Sequence, residues 1–149
     1  MVAANVAEFK KPEAPTKPAG IGDWSIKQIE SALSREIPRS YLKYLEKKNK
    51  RTGEKTQIPY IPWNRANTIL CKYAPGWQGR VVRTEQIGAE LVLTYSITIP
   101  TSEGDVTREA TGSESLDCGS YGETAANAES QAFRRAAARF GLGLYLYDK

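Results

Sequence analysis

Between Ala89 and Ile99 the chain alternates strictly, with Ala89, Leu91, Leu93, Tyr95, Ile97 and Ile99 in one phase and Glu90, Val92, Thr94, Ser96 and Thr98 in the other. Successive side chains of a strand point to opposite faces, so a period-two run this long predicts the central strand of a sheet. Residues 79–87 read as a strand before it and residues 105–114 as another after it. Gly88 and Thr101-Ser102-Glu103-Gly104 supply the hairpin turns. The expected fold class is α+β, an antiparallel meander of three to four strands packed with helices that precede and follow it. Arg80 and Arg83 differ by three positions in a strand, which predicts opposite faces and at most one of them in a given groove.

Helical spacing surrounds this β region. From Asp23 onward Trp24, Ile26, Ile29 and Leu33 recur at helical intervals, with Asp23 or Ser25 available as N-cap and Pro38 closing the segment. Residues 40–48 predict a second short helix with Tyr41, Tyr44 and Leu45 as its apolar strip, followed by a loop over residues 49–55. Pro59 and Pro62 hold residues 57–62 extended. Trp63, Ala66, Ile69 or Leu70, and Tyr73 predict a helix over residues 63–73 that ends at the Pro75-Gly76 turn. Residues 1–22 carry Pro12, Pro15 and Pro18 among lysine, glutamate and alanine and are expected to be a flexible tail, leaving residues 23–149 as the folded domain.

The closing block from Gly122 to Lys149 predicts one alanine-rich helix stopped by a glycine. At about 100° per residue, Asn127, Gln131, Arg134, Arg135, Ala138 and Arg139 fall on one side, with Ala125, Ala126, Phe133, Ala136, Ala137 and Phe140 opposite. Guanidinium forks match phosphate oxygens, and small neighbours let a polymer backbone approach. The same cations also suit the C-terminal end of a helix dipole with no ligand present. Gly141 and Gly143 are expected to serve the C-cap and a close backbone approach. Trp63, Trp77, Phe133 and Phe140, together with Tyr41 and Tyr44, are assigned to the core and not to base stacking.

A chain of 149 residues with 40% hydrophobic content suits one domain with a core. The net charge is +4, and it resides in residues 43–55, where Lys43, Lys47, Lys48, Lys50, Arg51 and Lys55 face only Glu46 and Glu54 while the rest of the chain is near neutral. Such a cluster suits a negative partner, and a solvated loop would look the same. There is no histidine, and Cys71 and Cys118 lack metal-ligand spacing, so neither structural zinc nor a disulfide framework is expected. No apolar membrane span or signal sequence is seen, and a reducing compartment, the cytoplasm by default, is the expected address. Four aspartates, with Glu114 and Asp117 the nearest approach to a cluster, offer poor material for a metal-dependent nuclease, and no GxxxxGK[ST] loop is present for a nucleotide-driven motor.

Taken in order, a helix, Ile37-Pro38 with Tyr41-Leu42, a basic segment, Tyr60-Ile61, Ala66-Asn67, Gly76-Trp77, a three-stranded meander and the ending Phe133-Arg134-Arg135-Ala136, Phe140-Gly141 and Tyr147-Asp148-Lys149 make a pattern. It resembles the Rad-fifty-two family of single-strand annealing proteins, including shorter bacterial and phage relatives of the DdrA type, over residues 24–149. The resemblance implies a non-enzymatic protein without cofactor that forms a homo-oligomeric ring, binds single-stranded DNA in an outer groove with phosphates inward and bases outward, and anneals complementary strands without ATP in recombination and repair. A bacterial or phage-infected cytoplasm is the implied setting, with an organelle as the alternative.

Residue by residue, the family's basic pair on the last helix falls on Arg134 and Arg135. Its third arginine falls on Ala138, with Arg139 as neighbouring substitute. Its groove tyrosine falls on Tyr60, and an early basic residue falls on Leu45, leaving Lys43, Lys47 or Lys48 in its place. Larger members carry partner-docking regions beyond this domain, so contact with a single-strand binding protein or recombinase is expected to use residues 1–22 or the ring surface. Two alternatives stand beside annealing: a protein that only coats single strands or protects 3′ ends, and an RNA-binding oligomer.

Overall fold

The computed structural model of the chain describes residues 16–117 and 123–148. The expected alternation from Ala89 to Ile99 lies within β4 (Glu90–Thr101), the middle strand of an antiparallel β3-β4-β5 sheet with β3 (Gln78–Ile87) and β5 (Gly104–Ser115). Leu93, Ile97 and Ile99 are buried in one phase of β4, and Thr94 and Ser96 of the other phase are buried as well. Three helices flank the sheet in sequence: α1 (Ile26–Leu33), α2 (Trp63–Tyr73) and α3 (Thr124–Ala138). The fold class is α+β.

Local chemistry sets the helix starts. Ser25 caps α1 in a reciprocal box, its hydroxyl accepting from the Gln28 N–H at 3.3 Å while the Gln28 side chain accepts from the Ser25 N–H at 2.9 Å. Asp23 instead accepts from the Ala19 N–H at 3.0 Å. Of residues 1–22, only 16–22 are described; Pro18 is buried there, and a Cβ on Gly76 would strike the Ile21 side chain. Residues 1–15 of the expected tail lie outside the described residues, as do Cys118, the start of the closing block at Gly122, and Lys149.

The core gathers Ile29 and Leu33 of α1, Ala66 and Leu70 of α2, Ile97 and Ile99 of β4, and Phe133, Ala136 and Phe140. Helix α3 lies directly on β5. A Cβ on Gly112 would fall on the Ala128 carbonyl and the Ala132 nitrogen, so glycine in the strand and alanine in the helix bring the two backbones together. The approach is centred on Ala128 and Ala132, which turns the helix from its expected orientation: Ala125 and Ala126 are exposed and Ala138 is buried. The helix ends as expected, with Leu142 N–H reaching Ala137 O at 3.2 Å and Gly141 at φ 109°.

Two further expectations are corrected. Residues 40–48 do not form a helix. A single 3₁₀ turn (Arg39–Tyr41) leads into β1 (Lys43–Lys48), which pairs antiparallel with β2 (Lys55–Tyr60) as a separate two-stranded sheet. Leu-Glu-Lys-Lys is good helix material, but the proline-extended segment across the turn offers a partner strand, and pairing overrides propensity. Tyr44, assigned to the core, is consequently exposed. Arg80 and Arg83 share a face, because a bulge at Val82 inserts one residue between them and pairs them with Ser96 and Thr94, two apart on β4.

Candidate nucleic-acid interface

The hairpin and the last helix form two walls of one groove. Lys43 stands opposite Tyr60 and Leu45 opposite Ile58 in the β1-β2 register, and these four side chains share the face that lines the groove. Gln131, Arg134 and Arg135 of α3 form the facing wall, with Leu142, Leu146 and Tyr147 behind them, around a volume of about 610 Å³. The walls meet where the Arg134 guanidinium carbon sits 5.0 Å from the centroid of the Tyr60 ring. A guanidinium on an exposed aromatic face contributes about 0.5–1 kcal/mol, enough to orient the arginine while its N–H donors stay available.

The helix wall is fixed to the sheet by its polar edge. The Gln131 side-chain oxygen accepts from the Ser113 N–H of β5 at 2.6 Å, and the Asn127 amide donates to Glu114 at 3.3 Å. Glu114, an acid on the groove lining, also accepts from the Ser115 N–H at 2.9 Å. Among the described residues the ion pairs are Lys55–Glu46, Arg83–Glu85 and Arg108–Glu30, and none engages Lys43, Arg134, Arg135 or Arg139. Lys43, Arg134 and Arg135 thus face the groove with no carboxylate partner among the described residues, which suits a polyanion.

The expected site residues divide into three groups. Tyr60, Lys43, Arg134 and Arg135 line the groove together. Arg139 caps α3 and lines an adjoining cavity with Arg108, Arg135 and Tyr147, so it stands beside the groove and is joined to it through Arg135. Lys47 shares the strand phase of Lys43 but lies farther out. Lys48 and Lys55 are paired on the opposite phase, where Lys55 meets Glu46 at 3.4 Å. Lys50 and Arg51 occupy the hairpin turn, held by the Asn49 side chain accepting from the Arg51 N–H at 2.9 Å.

Two positions at the candidate site escaped sequence reasoning. Arg108 donates to Glu30 at 3.0 Å and to the Arg139 carbonyl at 2.7 Å, and lies 4.7 Å from the Phe140 ring centroid, so it seats the end of the arginine helix. A lone arginine in a strand carries no periodic signal for such a role. Trp63, assigned to the core, is 56% exposed at the first position of α2 and lines the groove. Trp77 is half-buried, its indole N–H donating to Cys71 Sγ at 3.3 Å, while Phe133 and Phe140 are core as expected. Among the described residues no three His, Cys, Asp or Glu side chains group to hold a metal, and no helix is long and apolar enough to cross a membrane.

Comparison with known proteins gives the family. The family model of the Rad52/22 family double-strand break repair protein matches residues 25–149. A mitochondrial DNA repair RAD52-like protein 1 of Arabidopsis thaliana is 36% identical over 124 residues, covering 82% of this chain and 67% of that protein. A chloroplastic DNA repair RAD52-like protein 2 of the same plant is 44% identical over 93 residues, covering 60% of this chain and 46% of that protein. The match of the family model over nearly the whole chain means that this chain belongs to the Rad52/22 family.

Proposed function

We propose that the groove between the hairpin and α3 binds single-stranded DNA along its phosphates, and that the protein anneals complementary strands without ATP. Family membership supports a role in recombination and repair. The observation that carries the finer reading is the convergence of Lys43, Tyr60, Arg134 and Arg135, drawn from distant parts of the chain, on one groove whose cations have no carboxylate partner among the described residues.

Annealing is a search problem and makes or breaks no covalent bond. Phosphates held on Arg134 and Arg135 lose part of their mutual repulsion with an incoming strand. Bases held in order at one surface lower the entropy loss of finding register. A homo-oligomeric ring would extend the array by repeating the groove, and a single-strand binding protein or recombinase would hand over or receive the strand. The mitochondrial and chloroplastic names of the two relatives support the organellar alternative over a bacterial or phage cytoplasm.

The test is to mix two complementary oligonucleotides with the protein and no ATP and to follow duplex formation. Faster pairing than in buffer is expected. Tight binding without acceleration would replace annealing with coating or 3′-end protection, and a preference for RNA strands would favour the RNA-binding alternative. Affinity for single strands should fall with salt, with a log–log slope of about −0.7 for each phosphate neutralised.

A further inference from the structure

Next to the groove, and sharing Trp63 and Ser130 with it, lies a recess of about 320 Å³ walled by Trp63, Trp77, Tyr95 and Phe133 and edged by Asn67 and Glu129. Buried Phe133 forms its floor, with the Trp77 ring stacked on it at 5.8 Å and Tyr95 edge-on at 5.4 Å. Trp63 forms the lip. An indole more than half exposed is not held there by core packing, since the same helix buries Ala66 and Leu70 completely. A concave site of aromatic walls with a few convergent polar groups is the usual form of a ligand pocket.

We propose that this recess receives one nucleobase of the strand whose phosphates lie on Arg134 and Arg135, an inference that rests on the groove reading above. The ligand must be flat and aromatic to use the walls. It must not be anionic, because the Glu129 carboxylate repels phosphate and acidic peptide alike. That carboxylate accepts hydrogen bonds only, so it favours bases with an exocyclic amine, and the Asn67 amide supplies both donor and acceptor. Ser130 at the recess and Arg134 in the groove are four residues apart on α3, about 6 Å along the axis. A base and a phosphate of one short stretch of strand therefore reach both. The family resemblance implies bases turned outward; here one base per subunit turns inward against Trp63.

The test compares Trp63→Ala and Trp63→Phe on two strands of equal length, an ordinary oligonucleotide and one built of abasic deoxyribose phosphates. Trp63→Ala should weaken the ordinary strand about tenfold, the scale of one base–aromatic stack, and leave the abasic strand unchanged. Trp63→Phe should restore most of the loss. Equal losses on both strands, no loss on the ordinary strand, or a loss that tracks a change in oligomer size would overturn the base pocket. The last result would assign Trp63 to a contact with a second copy. Arg134→Ala with Arg135→Ala reports the groove separately, because it should weaken both strands alike. If that variant behaves so while Trp63→Ala does nothing, the groove stands without the pocket.

Discussion

The two walls of the groove are built on opposite principles. Helix α3 buries Ala128, Ala132, Phe133, Ala136, Ala137 and Ala138 against the sheet and core, whereas every residue of β1 is exposed and β2 reaches half-burial only over its last three residues. A buried Phe133 alone contributes on the order of 1.5–3 kcal/mol, while an isolated two-stranded hairpin is marginal in water. One wall is thus a fixed platform whose arginines are pre-positioned. The other is a basic arm whose charges stand exposed to solvent. The lesson is that the chain's densest positive charge and its best-positioned positive charge lie in different places.

That contrast is broken most severely at the platform's foundation. Gly112→Val would drive a branched side chain into the α3 backbone and should destabilise the fold by about 3 kcal/mol, read as a large drop in melting temperature with DNA binding abolished alongside it. Next in size, Arg134→Ala with Arg135→Ala should weaken single-strand binding by about 2 kcal/mol or more, roughly thirtyfold, with little change in melting temperature. An unchanged affinity would remove these arginines from the interface.

On the arm, changing Lys47, Lys48, Lys50 and Arg51 together to glutamine should slow association and flatten the salt dependence by about 0.7 for each phosphate left without a cation. Stability should move by less than about 0.5 kcal/mol, since these side chains are exposed. A collapse of the fold in that variant would show that the arm is structural after all. The smallest effect belongs to Tyr95, whose hydroxyl is held above its ordinary value of 10.0 by burial and, secondarily, by the nearby Glu129. The unfolded chain loses that proton first, so this share of stability is intact below pH 10 and declines as the pH rises past it. Tyr95→Phe should flatten the alkaline limb of a melting-temperature profile.

Legibility in the sequence follows the same division. The meander and α3 were readable because their signals are local: period two along β4, helical spacing ending at Gly141. The hairpin was not, because residues 43–48 prefer a helix in isolation and become a strand only through the register with residues 55–60. The shared face of Arg80 and Arg83 was hidden by a bulge, which shifts every later side chain without marking the composition. Trp63 fits the helical period of α2 but lies at its first position, where the apolar stripe runs out past the core. At the site, Tyr60, Arg134 and Arg135 followed from the family pattern, whereas the recess beside them depends on which aromatics the fold brings together.

The bonds from Arg108 to Glu30 and to the Arg139 carbonyl bear on the order of assembly. They join the first helix, the last strand of the meander and the end of α3, parts made at very different times as the chain is synthesised. Pairings this distant in sequence form late and slowly. These bonds are therefore expected to close late in folding, and the end of α3 gains its seat only when the first helix, the last strand of the meander and α3 itself have come together.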